Sequence, residues 1–311
     1  MVVNHIALGC DRNYLLPAET LIKSICAYNQ HLIFHVIHND IPEDWFARLS
    51  AELQPLNAEI QSVHFELPAY VRNLNNREAH ISDSAFLRYF IPELIAAARV
   101  LYLDVDMIVM DSLLPIFNAD MQSNAIAAVE ESYLGHWASH TYAPFPYDED
   151  LSYQGGPDFS PYFNSGLLLI DTAKCKAMQF TLKAVRATCK YNAVMYGDQD
   201  ILNFLFFHHW TSLPAQFNVT VSTLFSYLEN HSTDEERQTG VIYFNKIFGF
   251  TIQDSVVLHY TGKAKPWLPE YYSATPLHKY WHQYHALSWA DVRKMQAQFL
   301  AREASLSAVG N

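Results

Sequence analysis

Positive charge is scarce in this sequence: 20 Lys and Arg stand against 32 Asp and Glu, a formal net charge of −12. A surface of that sign repels a phosphate backbone, so no nucleic acid is expected as a main partner. Any anionic ligand then has to be held by a bound metal and a few placed cations. Cysteine is also sparse. Cys10, Cys26, Cys175 and Cys189 are dispersed without a Cys-x-x-Cys pair. That pattern fits reduced thiols in a cytoplasmic protein better than a disulfide framework or a cysteine zinc site. No apolar run approaches the ~18–20 residues that a membrane-spanning helix requires. The stretch after Met1 lacks the basic and long apolar parts of a secretory signal. Asn218-Val219-Thr220 and Asn230-His231-Ser232 fit the glycosylation sequon, and a cytoplasmic location would leave both idle. Polar low-complexity tracts and internal repeats are absent as well, so neither disorder nor a solenoid is expected.

Apolar residues are abundant: half of the chain is hydrophobic and 14% is aromatic, enough for a large core. Residues 4–9 read as a short buried strand, and a polar turn follows over 10–14. Pro17 sits in the tolerated first turn of a helix running to residue 28. Strands over 33–38 and 59–65 flank a helix over 43–56. Strand and helix alternating at these lengths predict parallel β-α-β units. After an Asn-rich connection over 67–83, a mostly helical stretch over 84–98 leads into a strand that ends at Asp104. The order predicts a doubly wound sheet, in which ligands bind beyond the carboxyl ends of the strands. Asp11 and Asp104 are therefore expected to line one crevice. Further strands are expected over 125–129, after residue 163 and over 256–259, with a helix over 174–191 and another opening at Asp198. Residues 131–162 follow neither period and are rich in aromatics, Pro and Gly, the composition of a lid or binding wall. From residue 270 the pattern turns helical and aromatic, which divides the chain into a main unit over 1–269 and an extension over 270–311.

The strongest chemical signal is Leu103-Asp104-Val105-Asp106, where an apolar, strand-like run stops in two carboxylates one residue apart. Strand alternation points Asp104 and Asp106 the same way. Convergent carboxylates make a hard-oxygen site suited to Mg²⁺ or Mn²⁺, and such an ion draws off the charge that develops as a phosphate leaves. Taken alone, the pair reads equally well as two acids ending a strand at the solvent boundary. Three more stretches follow in order: Phe163-Asn164-Ser165-Gly166, then Gly197-Asp198-Gln199-Asp200-Ile201-Leu202-Asn203, then His259-Tyr260-Thr261-Gly262-Lys263-Ala264-Lys265-Pro266-Trp267. His278, His282 and His285 share one helix face but lack an acidic or cysteine partner. An aromatic face docked on the body, or on a membrane surface, is the better reading of them.

Together these motifs, over residues 4–267, resemble family 8 retaining glycosyltransferases, in particular the bacterial lipopolysaccharide or lipooligosaccharide galactosyl- and glucosyltransferase branch. The resemblance implies a GT-A fold: an α/β, Rossmann-like mixed sheet with mainly parallel strands, plus a small helical C-terminal appendage. It implies transfer of a hexose from UDP-galactose or UDP-glucose to a hydroxyl of an oligosaccharide or lipopolysaccharide acceptor. Asp104, Asp106 and His259 match the metal ligands, and imidazole beside carboxylates favours Mn²⁺ over Mg²⁺. Asp11 and Asn13 match the positions that hold the uridine and its ribose, with Tyr14 as a stacking partner for the base. Arg88, Val105 and Ser165 fall in donor-contacting motifs, and Gly262 and Lys265 match the diphosphate contacts. Asn164, Asp198 and Gln199 match residues around the transferred sugar. Gln199 lies where the family places a group beneath the anomeric carbon, and Asp200 is a second candidate for the reacting face. The catalytic set is thus Asp198, Gln199 and Asp200, with front-face attack and a covalent role for Asp200 both open. In the 131–162 stretch, Tyr142, Phe145, Tyr147 and Tyr153 suit stacking on sugar rings, or pinning that loop to the core. Scattered Lys279, Arg293, Lys294 and Arg302 leave the C-terminal helices a weak candidate for peripheral contact with the inner face of the membrane.

Two rivals fit less well. The acidic pair also resembles the nucleophile motif of haloacid-dehalogenase phosphatases, but three β-α units precede it and Ile108 stands where that motif has Thr or Val. A sugar-nucleotide-binding or self-glycosylating protein is the other, and the intact ligand set argues for turnover instead.

Overall fold

Short β-branched and aliphatic runs build the centre of the molecule. The computed structural model describes residues 2–72, 83–131, 161–191, 197–221, 250–271 and 277–309. Strands β1 (Asn4–Gly9), β2 (Leu32–His38), β3 (Ala58–His64) and β4 (Arg99–Leu103) pair in parallel in the order β3-β2-β1-β4. Helices α1 (Leu15–Cys26) and α2 (Glu43–Leu53) make the first two crossovers. Beyond β4 lie β7 (Phe163–Asp171), β6 (Ile126–Glu130) and β8 (Thr211–Leu213). The sheet is mixed there: β7 runs antiparallel to both β4 and β6, while β8 is parallel to β6. A small second sheet joins β5 (Met107–Val109), β10 (Val257–His259) and β9 (Val219–Thr220) in the order β5-β10-β9.

Strand alternation sorts the core into two layers. Ile6, Leu8, Leu101 and Leu103 pack toward α1 and α2, whereas Ala7, Val100 and Tyr102 face the opposite side. That side is closed by helices α3 (Phe180–Lys190) and α4 (Asp198–Leu205). A third cluster, with Ile108, Leu258, Tyr260 and Trp281, joins the small sheet to α5 (His278–Ala286). The last helix, α6 (Trp289–Val309), buries Trp289 and Val292 in the same core as α1. Lys23 donates to Leu287 O at 2.8 Å and the Tyr28 and Tyr284 hydroxyls meet at 2.7 Å, so the aromatic C-terminal face docks on the body.

The three histidines of α5 are engaged within the chain. His278 Nδ1 lies 2.8 Å from Tyr271 O, and the His285 ring stacks on Trp281. His282 meets the edge of Trp281. Among the described residues they form no metal cluster.

Several boundaries differ from expectation. The 84–98 stretch is a 3₁₀ run, Asp83–Phe90, followed by one α-turn, Ile91–Leu94, with Pro92 in its first turn. The 174–191 helix divides into Thr172–Ala177 and α3, because Gln179 adopts a left-handed φ of 58°. Tyr142, Phe145, Tyr147, Tyr153 and the Asn230 sequon lie outside the described residues. No described helix is long and apolar enough to cross a membrane.

Candidate active site

Asp104 and Asp106 occupy a turn between β4 and β5, not a strand. The chain leaves the central sheet at Asp104, whose N–H donates to Gly166 O at 2.8 Å, and enters the small sheet at Met107. Their convergence therefore comes from the change of sheet and not from strand alternation. Antiparallel pairing of β5 with β10 sets His259 opposite Met107, and Tyr260 N–H donates to Asp106 O at 2.9 Å. His259 Nε2 consequently lies 3.1 Å from Asp106 Oδ1 and 3.8 Å from Asp104 Oδ2. One ligand atom from each of the three residues falls within 4.8 Å of the others.

Gly166 closes the other side of this cluster. A Cβ there would run into the His259 ring and come 2.8 Å from Asp104 Oδ2 and 2.9 Å from the Met107 methyl. Two carboxylates and an imidazole meeting over a glycine backbone fit a divalent cation. Lys265 Nζ lies 2.6 Å from Asp106 Oδ2. Burial pushes the Asp106 carboxyl up, but Lys265 and His259 outweigh it and hold the group well below the usual carboxylate range.

Arg88 is buried beneath the pair. Its Nη2 donates to Asp104 Oδ1 at 3.0 Å, its Nε lies 3.1 Å from Asp198 Oδ2, and its Nη1 donates to Ser165 O and Oγ. Burial opposes its charge, and Asp104 and Asp198 more than offset that. Tyr102 OH also donates to Asp104 Oδ1, at 2.6 Å, which leaves Oδ2 as the oxygen turned toward His259. The Asp198 carboxyl is pushed up to about 6 by burial, with Asp104 adding to the shift against the pull of Arg88. Asp198 starts α4 after Gly197, and the Gly197–Asp200 segment faces the first residues of β7.

Antiparallel β7 brings Asn164 and Ser165 to the carboxyl end of β4. Ser165 N–H donates to Gln199 Oε1 at 2.9 Å, Gln199 Nε2 donates to Tyr162 OH at 3.0 Å, and Tyr162 OH donates to Asp200 Oδ1 at 2.9 Å. Asp200 is thus buried behind Gln199. Val105 turns its side chain into the core, so only its backbone is available to a ligand.

Asp11 and Asn13 lie just past β1, where Asp11 Oδ1 accepts from Asn13 N–H at 2.8 Å. Tyr14 meets the edge of Trp267, and Lys265 Nζ stands 5.8 Å from the Trp267 ring centre. Gly262 takes a left-handed φ of 79° between His259 and Lys265, a conformation that glycine supplies without strain. Sequence reasoning missed Tyr102, Tyr162, Glu131 and Asn218: the two tyrosines adjoin motifs, but Glu131 and Asn218 adjoin none. Glu131 Oε2 accepts from Asn164 Nδ2, and Asn218 lies beside His259, so the first sequon is buried inside the site.

Known proteins resemble this chain in sequence and in fold. Residues 5–270 match the family model of Glycosyl transferase family 8. Glycosyltransferase GlyB of Streptococcus pneumoniae is 32% identical over 296 residues, covering 94% of this chain and 64% of GlyB. Lipopolysaccharide glucosyltransferase WaaO of Escherichia coli is 26% identical over 272 residues, covering 84% of this chain and 72% of WaaO. The crystal structure of galactosyltransferase LgtC with donor and acceptor sugar analogues matches with a TM-score of 0.70 at 25% identity, over 90% of this chain and 95% of LgtC. The chain spans less than two thirds of the length of the streptococcal relatives GlyB, GlyF and GlyE.

Proposed function

The chain belongs to glycosyl transferase family 8 and has the GT-A fold, and on that premise we propose that it moves a hexose from UDP-galactose or UDP-glucose to a glycan hydroxyl. The transfer retains the anomeric configuration and uses a divalent metal, Mn²⁺ before Mg²⁺. The observation that carries this reading is the meeting of Asp104, Asp106 and His259 over Gly166, with Lys265 alongside. When bound, the ion neutralises charge on the diphosphate leaving group.

The chain's own residues do the rest. Asp11, Asn13 and Tyr14, with the Val105 backbone, hold the uridine and its ribose. Lys265 and the Gly262 backbone meet the diphosphate, where a placed ammonium stabilises the departing charge. Asp198 accepts hydrogen bonds from sugar hydroxyls. Arg88 acts through Asp104, Asp198 and Ser165, because its donors are directed at those groups. Gln199 lies beneath the anomeric carbon, with Asn164 beside the sugar. The acceptor oxygen attacks that carbon, the bond to the phosphate oxygen breaks, and the acceptor proton passes to the departing phosphate. Front-face attack is favoured over a covalent role for Asp200, since the Tyr162 hydroxyl stands on that buried carboxylate. The likeness to WaaO supports a lipopolysaccharide core as acceptor, which would place the work in the cytoplasm at the inner face of the membrane. Residues 1–269 form the catalytic unit in this reading and 270–311 its helical extension.

Calorimetric titration with UDP-galactose and UDP-glucose, in Mn²⁺ and then in EDTA, tests the proposal. Metal-dependent binding of one donor, lost in Asp106→Ala, is the expected result. Binding of neither donor in Mn²⁺ would overturn it.

A further inference from the structure

Behind His259 a chain of buried amides ends on a backbone N–H whose hydrogen-bonding role is set by chemistry. Gly166 N–H can only donate, and it points at Asn164 Oδ1 from 3.0 Å. That end of the Asn164 amide is therefore the oxygen. Its nitrogen faces Glu131 Oε2 at 3.1 Å, where an acceptor waits. Glu131 is itself held at its other oxygen by Thr220 Oγ1, also at 3.1 Å. Asn164 Oδ1 has a second neighbour, the Asn218 amide, at 2.9 Å. Two oxygens do not face each other at that distance inside a protein, so Asn218 presents its Nδ2 there. Its Oδ1 is then the atom 3.1 Å from His259 Nδ1. An amide oxygen only accepts. His259 must carry a hydrogen on Nδ1, and Nε2 is the ring nitrogen turned to Asp104 and Asp106.

We infer that Asn218 is a positioning residue for the metal site: through Asn164 it reads the orientation of Gly166 N–H and Glu131, and it passes that orientation on as the tautomer and ring angle of His259. The inference rests on the reading of Asp104, Asp106 and His259 as ligands of a divalent cation. Five sequence-distant segments, at residues 131, 164–166, 218–220, 259 and 104–106, are thereby tied into one site. The same placement explains why the Asn218 sequon is closed to modification in the folded chain: both ends of its amide are engaged in the interior.

The test is Mn²⁺ uptake followed by electron paramagnetic resonance, together with long-range ¹H–¹⁵N NMR of the His259 ring in metal-free protein. Wild type is expected to bind Mn²⁺, to lose it in Asp106→Ala, and to show hydrogen on Nδ1. Asn218→Ala is expected to weaken Mn²⁺ binding by about 10–100-fold, the usual cost of losing the partner of a histidine ligand, and to lose the single Nδ1–H signal. Asn218→Asp keeps an acceptor at Nδ1 but sets an oxygen against Asn164 Oδ1, so it should restore the Nδ1–H signal with only part of the affinity. A wild-type ring without hydrogen on Nδ1 overturns the inference even if every variant misfolds. So does tight wild-type binding that Asn218→Ala leaves unchanged. Equal Mn²⁺ uptake by wild type and Asp106→Ala would instead overturn the metal reading itself, and the positioning role with it.

Discussion

Lys265 Nζ stands 2.6 Å from Asp106 Oδ2, on the carboxylate whose other oxygen faces His259 Nε2 at 3.1 Å. The ammonium also donates to Tyr260 O at 2.8 Å, so one carboxylate and one carbonyl hold it at the edge of the metal cluster. In the proposed site, lysine and a divalent cation would compete for Asp106 and cooperate on a diphosphate. Lys265→Met is expected to tighten Mn²⁺ binding and to weaken UDP-sugar binding by about tenfold or more, the size of one charge-assisted hydrogen bond of ~1.5–3 kcal/mol. Titration with metal alone, then with donor at saturating metal, separates the two effects. Parallel loss of both would assign Lys265 a purely structural role.

Gly166→Ala should abolish the metal site without unfolding the protein. The added methyl would meet the His259 ring and Asp104 Oδ2, and both belong to the proposed ligand set. The neighbours that must yield are side chains, the buried His259 and Met107 among them, not the paired backbone of β4 and β7, so the cost falls on ligand geometry and local packing. We expect Mn²⁺ binding to fall by at least about tenfold, with overpacking lowering stability by ~1–3 kcal/mol. An electron paramagnetic resonance titration and a urea unfolding curve measure the two quantities. Wild-type metal affinity in this variant would contradict the placement of Gly166.

The legible part of the site was the part written in contiguous motifs. Asp104, Asp106 and His259 could be singled out because their motifs occur in the order of a known family, whereas the acidic pair alone reads equally well as two acids ending a strand. Their mutual geometry could not. It depends on β5, β9 and β10, which are two or three residues long and too short to carry a period. Tyr102 and Asn218 were invisible for a related reason. A tyrosine inside a strand reads as core, and an asparagine before a two-residue strand reads as a turn. The pairing of β9 with β10 brings Asn218 to His259, and the turn after β4 brings Asp104 back to the Tyr102 hydroxyl. The parallel half of the sheet was easier, since β1, β2 and β3 alternate with α1 and α2 at full element length.

On that parallel half, His5 Nδ1 and His35 Nε2 lie 2.9 Å apart on neighbouring strands, with stacked rings. Burial, and then the His5 charge, bring His35 down to about 4. The unfolded chain binds a proton near the ordinary value of ~6.5. Between those limits the unfolded state holds one more proton than the folded state, so stability is complete above pH ~6.5 and falls on acidification toward pH ~4. The slope is up to ~1.4 kcal/mol per pH unit. Urea midpoints at pH 7.5 and pH 5.0 should differ accordingly, and His35→Leu should flatten the difference. A His35→Leu profile as steep as wild type would place the acid sensitivity elsewhere.

Tyr162 offers the sharpest test of how Gln199 is aimed. Its hydroxyl accepts from Gln199 Nε2 at 3.0 Å and donates to Asp200 Oδ1 at 2.9 Å, while Ser165 N–H fixes Gln199 Oε1 from the other side at 2.9 Å. Donor and acceptor roles run in one direction along this line: the backbone N–H and the carboxylate cannot exchange places, so the amide between them has one orientation. Tyr162→Phe keeps the ring and removes the hydroxyl. The Gln199 amide then loses one of its two anchors, and the buried Asp200 loses a donor, at a stability cost of ~1–3 kcal/mol. If Gln199 lies beneath the reacting carbon and the nucleotide contacts lie at the β1 end, as proposed, kcat should fall by roughly ten- to hundredfold with little change in KM for the donor. Asp200→Asn leaves an acceptor for the tyrosine hydroxyl and should be milder if Asp200 acts only through Tyr162. If Asp200 formed a covalent intermediate, that same variant would be the more severe of the two. Steady-state kinetics of the pair, at saturating acceptor, distinguishes an amide held for front-face attack from a carboxylate nucleophile.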